Sequence, residues 1–116
     1  GVLVLGDPVR LNQAVRNLTA NAVRAAGRPA GVLLRLTQAP GEAIVTVEDD
    51  GGGIPEEMLP HIFEKFYKGA GGGSGLGLAI ARQIAEHHHG VLSVQSRPGE
   101  TVFEMRLPLI EAVDEE

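Results

Sequence analysis

The chain has 116 residues, 43% hydrophobic, 22% charged and only 3% aromatic, with no cysteine and a formal net charge of −5. That length fits one domain with a single core built from Leu, Val, Ile and Ala, and the lack of cysteine excludes disulfides, thiolate zinc sites and cysteine nucleophiles. The acidic balance argues against non-specific binding of nucleic acid or anionic lipid, which needs a basic face, and no apolar run approaches the roughly 18 residues of a membrane span.

The elements follow in chain order. Residues 2–5, VLVL, read as a short strand; because the chain starts inside this apolar run, we expect a segment of a longer protein. Asp7 is placed to cap a helix and Pro8 to occupy its first position. That helix runs to about Ala26, with Leu11, Val15, Leu18 and Ala22 as its core stripe. GRPAG ends it. VLLRLTQ and AIVTVED are two strands joined by the turn APGE, an antiparallel hairpin. DGGGIP closes the second strand and cannot be regular structure. PEEMLPHIFEKFY suggests a short helical stretch interrupted at Pro60. A glycine-rich stretch, with six glycines between Gly69 and Gly77, leads into a helix from about Leu76 to His88. VLSVQS and TVFEMRLPL form a closing hairpin around RPGE. Residues 1–110 make the domain, and 111–116 an acidic tail expected to fray. This order predicts a two-layer α/β (α+β) sandwich: a mixed, mostly antiparallel sheet of five strands covered on one face by about three helices.

Three polar groupings sit on that scaffold. Asn17, Asn21 and Arg24 share a stripe of the long helix, roughly 110° from the apolar one at 100° per residue. The stripe is either a solvated flank or a pair of amide oxygens able to ligate a hard cation or hold ordered water, with Arg24 near an anion. VEDDGGGIP puts Asp49 at a strand end, where its carboxylate can accept from an exocyclic amine, and glycines let backbone pass a flat ligand; an ordinary Asp-Gly turn is the plainer alternative. Gly73-Ser74-Gly75-Leu76-Gly77 immediately precedes a helix, whose free N–H groups and dipole favour an anion. Neither G-x-x-x-x-G-K-[ST] nor G-x-G-x-x-G matches there, so a phosphate loop of another kind remains.

Taken together, these stretches resemble the catalytic and ATP-binding domain of bacterial two-component sensor histidine kinases, in the family that also holds the gyrase, Hsp90 and MutL ATPases. GDPVRLNQAVRNLTANAVRAA is similar to the N box, VEDDGGGIP to the G1 box, IFEKFY to the F box and GGGSGLGLAIARQI to the G2 box. The resemblance covers nearly the whole chain and implies the Bergerat-type ATP-binding fold with ATP and Mg2+ as ligands. It implies that Asn21 ligates magnesium, with Asn17 one turn earlier in the same pocket. Arg24 stands where the family usually has a phosphate-side lysine, and Lys68 where an arginine often reaches the γ-phosphate; Asn17, Arg24 and Lys68 would be the catalytic contributors. Asp49 matches the carboxylate that reads the adenine amino group, in a pocket shaped by Gly51, Gly53 and Ile54. Tyr67 closes the F box, and Gly73, Ser74, Gly75, Leu76 and Gly77 would face the triphosphate. Two departures stand out: Ala25 replaces a common aromatic packed over adenine, and only KGAG separates Tyr67 from the Gly72-Gly73 start of the G2 box, a very short lid.

The histidines do not supply a phosphoacceptor. His61, His87, His88 and His89 lie outside any H-E/D-x-x-x-P context, and three consecutive helical histidines point about 100° apart, so they cannot chelate one ion. They read as a polar helix end favoured by the dipole. The resemblance therefore places the acceptor on a separate N-terminal dimerisation helical domain, absent from this chain, with a response regulator served indirectly and no nucleic-acid partner. The isolated domain is expected to be monomeric, and to bind Mg-ATP without phosphorylating itself, as the cytoplasmic domain of a membrane-anchored sensor. Two alternatives remain: an ATP hydrolase of the gyrase/Hsp90/MutL kind, which carries a catalytic glutamate where Asn17 stands, or a non-catalytic nucleotide-sensing or docking module.

Overall fold

The computed structural model of the chain describes residues 6–67 and 76–109. Helix α1 (Pro8–Ala26) starts where Asp7 Oδ1 accepts from the amides of Val9 and Arg10 at 3.0 and 3.4 Å. This capping satisfies N–H groups that have no partner inside the helix. It stops at Gly27, whose φ of +80° suits a residue without Cβ and whose N–H returns to the Val23 carbonyl at 2.8 Å. The buried stripe is Ala14, Leu18 and Ala22, with Leu11 and Val15 only partly covered at its margin.

Strands β1 (Val32–Ala39) and β2 (Glu42–Asp49) form the expected antiparallel hairpin, with Leu36 opposite Val45. Helix α2 (Gly77–His87) is followed by β3 (Val91–Arg97) and β4 (Glu100–Pro108). The strands are ordered β1-β2-β4-β3. Alternation along β4 sends Thr101, Phe103, Met105 and Leu107 to the helix-covered face. There Phe103, Met105 and Val47 meet Leu18 of α1, and alanines on both helices (Ala14, Ala22, Ala81, Ala85) occupy the buried faces. Burial at about 25 cal/mol per Å² of apolar surface makes this layer the main source of stability.

The two-layer sandwich is as expected, with two differences in its parts. The described residues contain four strands, each antiparallel to its neighbours, rather than a mixed sheet of five; the expected strand 2–5 and the tail 111–116 lie outside the described residues. They also contain two α-helices rather than about three. The third was expected within PEEMLPHIFEKFY, which instead forms successive turns and one 3-10 turn, Leu59–His61. Pro55 and Pro60 lack the N–H that an α-helix needs, and Pro60 sits in the first turn of the 3-10 segment, where no donor is required. Phe63 still anchors this segment, edge-on to Phe103 at 6.1 Å between centroids and under the Arg82 guanidinium at 5.4 Å.

Candidate functional site

The last residue of β2 is the site's most unusual group. Asp49 is 3% exposed, on the helix-covered face of the sheet. Its Oδ1 accepts from the Gly51 amide at 3.0 Å, whereas Oδ2 is buried with no hydrogen-bond partner among the described residues. Burial pushes the carboxyl above its ordinary value; the Gly51 N–H pulls it down, and the neighbouring Asp50 charge adds to the rise. A buried acceptor left open in this way is costly unless a ligand supplies the donor.

Glycines govern how the next loop passes this carboxylate. A Cβ on Gly51 would collide with the Ala25 carbonyl at the end of α1, so only glycine lets the loop cross there. Gly53 has φ +87°, and a Cβ on it would stand 2.7 Å from the Arg97 carbonyl oxygen. Ile54, half-buried, packs at the core margin. The loop is bound from the other side by the β3–β4 hairpin. The Gly99 amide donates to the Gly51 carbonyl at 2.9 Å, and the Ile54 amide donates to Ser96 Oγ at 2.8 Å. Ser96 Oγ lies 2.6 Å from Thr101 Oγ1.

The flank of α1 connects this end to the start of α2. Asn17 Nδ2 donates to the Gly77 carbonyl at 3.2 Å, so the first residue of α2 rests on the middle of α1. Asn21 lies between that contact and Ala25, half-buried, its amide free of hydrogen bonds among the described residues. Arg24 is exposed near the end of the helix. From Asn17 to Ala25 is eight residues, about 12 Å of helix at 1.5 Å each, comparable to the reach from base to phosphates of an outstretched nucleoside triphosphate. At its start, α2 has no side-chain cap among the described residues, unlike α1 with its Asp7. Its dipole favours negative charge at this end.

The structure thus joins Asn17 to Gly77, and joins Asp49 to Gly51 in a loop that passes the Ala25 carbonyl and continues through Gly53 and Ile54. Leu76 precedes α2, half-buried, and its carbonyl receives the Ile80 amide at 2.9 Å. Tyr67 packs at the core margin with its ring 5.6 Å from that of His61. Lys68, Gly73, Ser74 and Gly75 lie outside the described residues. A separate depression of about 600 Å³ also reaches Asp49; Glu48, Asp50 and Glu100 line it beside the one cation Arg97, and no α1 residue does, so its net charge is unfavourable for a triphosphate.

Sequence reasoning passed over Ser96 and Thr101. The available signal was phase: Thr101 alternates with Phe103, Met105 and Leu107, a polar residue at an inward position, 3% exposed. It also gave His88 no particular role. The ring spans two elements: Nε2 accepts the Asp7 amide at 2.9 Å and Nδ1 meets the Ile84 carbonyl at 2.8 Å. An amide can only donate and a carbonyl only accept, so the proton sits on Nδ1. His88 thereby fastens the end of α2 to the start of α1.

Comparison with known proteins gives a consistent picture. Residues 6–111 match the family model described as histidine kinase-, DNA gyrase B- and HSP90-like ATPase. The signal transduction histidine-protein kinase AfsQ2 of Streptomyces coelicolor is 41% identical over 93% of this chain and 21% of its own length. The probable sensor histidine kinase TcrY of Mycobacterium tuberculosis is 40% identical over 93% of this chain and 24% of its own. The chain thus spans between a fifth and a quarter of the length of these relatives. Among solved structures, the mycobacterial sensor histidine kinase MprB superposes with a TM-score of 0.81 at 38% identity, covering 91% of this chain and 76% of that one. Full-length ShkA in complex with AMPPNP gives a TM-score of 0.83 at 31% identity, covering 98% of this chain and 24% of that one.

Proposed function

The chain belongs to the family of histidine kinase-, DNA gyrase B- and HSP90-like ATPases, and on that premise we propose that it is the ATP-binding catalytic domain of a sensor histidine kinase. The observation that carries this reading is Oδ2 of Asp49, without a hydrogen-bond partner among the described residues and buried beside the glycine loop at the end of α1. An adenine amino group brings the donor that this oxygen lacks. Gly51 and Gly53 keep side chains out of the path of the base, and the half-buried Ile54 offers it an apolar edge. The sugar and phosphates then run along the Asn21–Asn17 flank toward the start of α2, whose dipole and first-turn N–H groups favour negative charge. The ShkA structure, similar over 98% of this chain, holds a nucleotide analogue, which supports ATP as the ligand.

The side chains also fit magnesium. Asn21 offers a half-buried amide oxygen with no competing bond among the described residues, and a cation shared with phosphates needs only one or two protein oxygens. When bound, the metal neutralises triphosphate charge. The protein holds the phosphates in line through the α2 amides, Arg24 and Lys68, while Asn17 sets the position of α2 through the Gly77 carbonyl. An asparagine amide cannot act as a base toward water, so Asn17 favours transfer to a protein acceptor over hydrolysis. That acceptor is a histidine on a dimerisation domain of the full-length protein, from which the phosphoryl group passes to a response regulator. The isolated domain is a monomer with no nucleic-acid partner. No helix among the described residues is long and apolar enough to cross a membrane; we assign the chain to the cytoplasmic side of a membrane-anchored kinase.

Titration calorimetry with ATP, with and without magnesium, tests the reading. The wild-type domain is expected to bind Mg-ATP, and Asn21→Ala to lose the magnesium dependence. No heat from the wild-type domain would overturn it and favour a docking module.

A further inference from the structure

We propose that Ser96 is a positioning residue for the nucleotide site, acting through the 51–54 loop on the orientation of the Asp49 carboxylate. The inference rests on the ATP-binding reading above and adds a residue to it. Asp49, Thr101 and Ser96 occupy adjacent strands: Asp49 pairs with Thr101 across β2 and β4, and Thr101 pairs with Ser96 across β4 and β3. All three point to the helix-covered face. Asp49 and Thr101 are each 3% exposed, and Ser96 is half-buried.

The loop between β2 and the F box is pinned by side chains at its two ends. At the near end Gly51 N–H is held by Asp49 Oδ1 itself, 3.0 Å away. At the far end Ile54 N–H is held by Ser96 Oγ at 2.8 Å. The Ser96 hydroxyl is in turn fixed by Thr101 Oγ1 at 2.6 Å. Between the two pins the Gly51 carbonyl also accepts from the Gly99 amide at 2.9 Å, while the three consecutive glycines from Gly51 to Gly53 favour movement of the rest. If the far pin is released, Gly52 and Gly53 can slide and the Gly51 backbone can turn about its Gly99 contact, carrying the Gly51 amide with it. Oδ1 then loses its partner, and the carboxylate is free to turn Oδ2 away from the ligand. The direction of Oδ2 is thus set from β3, two strands away, through one hydroxyl.

The test combines Mg-ATP calorimetry with amide hydrogen exchange on the same domain. Ser96→Ala removes the acceptor and is expected to weaken Mg-ATP roughly five- to tenfold, the worth of about one hydrogen bond, while the Ile54 amide exchanges faster. Amides of the Val47 and Phe103 strands keep wild-type protection. Ser96→Thr, which retains the hydroxyl and suits a strand, restores both readouts. Should the alanine variant not fold, Ser96→Cys keeps the shape with a weak acceptor, and is expected to show the same loss. Affinity within twofold of wild type in the Ala or Cys variant overturns the inference. So does a loss accompanied by faster exchange throughout β2 and β4, which would mark a merely structural role. A wild-type domain that binds no ATP would instead overturn the nucleotide reading itself.

Discussion

Replacing Asp49 with asparagine should make the domain more stable and less able to bind. The wild-type carboxylate is 3% exposed with one oxygen unpartnered among the described residues, and an unsatisfied buried group of this kind costs about 1–3 kcal/mol. Asparagine keeps Oδ1 on the Gly51 amide and removes the charge, though its own NH2 inherits the unpartnered place. Recovery near the lower end, about 1 kcal/mol, corresponds to a rise of about 4 °C in Tm for a domain of this size. The sign with pH follows from burial raising the carboxyl above its ordinary 3.8. A raised folded-state value means stability is present below the ordinary value and lost as pH rises through the raised one. The advantage of Asp49→Asn therefore grows as pH climbs from 3.8 and levels off once the folded-state carboxyl is ionised. Binding goes the other way. With Oδ1 held by Gly51, the new NH2 faces the adenine amino group, donor against donor. Losing a charge-assisted bond and stranding a donor together cost roughly 3–5 kcal/mol, more than a hundredfold in affinity. Urea unfolding across a pH series, with ATP calorimetry at pH 7, measures both. An Asp49→Asn variant that binds ATP like wild type, or is less stable at pH 7, would refute the reasoning.

Other outcomes are expected from the same geometry. Gly53→Ala meets φ +87° and the Arg97 carbonyl oxygen 2.7 Å away, so it should cost about 1–3 kcal/mol and weaken ATP binding. Gly52→Ala, with nothing within 4 Å, should stay within about 0.5 kcal/mol of wild type by urea unfolding. Asn17→Ala removes the 3.2 Å link to Gly77 and should lower affinity for ATP more than for adenosine, because the phosphates meet α2 and the base does not. Equal losses by calorimetry would refute that division. His88→Ala breaks the bonds to Asp7 and Ile84 and should destabilise by about 1–2 kcal/mol in scanning calorimetry with ATP affinity unchanged.

Much of this protein was legible from local chemistry. Asp7-Pro8 at one end and Gly27 at the other bounded α1 because caps act on their own helix alone. The two hairpins followed from alternation and turn residues for the same reason. PEEMLPHIFEKFY misled because helical patterning at the F box suggested α-helix, whereas Pro55 and Pro60 left only turns and a 3-10 segment. Four boxes in order sufficed to point to a nucleotide, since each box is a short run whose residue types state its chemistry.

What the sequence determined by itself, then, was the inventory: an amide pair, a strand-end carboxylate, glycine loops and two amphipathic helices, each fixed by neighbours within a turn or two. Only the tertiary structure decided how they meet. It set Gly77 on Asn17, 60 residues apart, brought the loop against the Ala25 carbonyl, and left Oδ2 of Asp49 without a partner among the described residues. It also gave Ser96 and His88, unremarkable in sequence, their contacts 42 and 81 residues away. Burial and orphaned acceptors arise from packing between elements distant in the chain, and no local pattern encodes them.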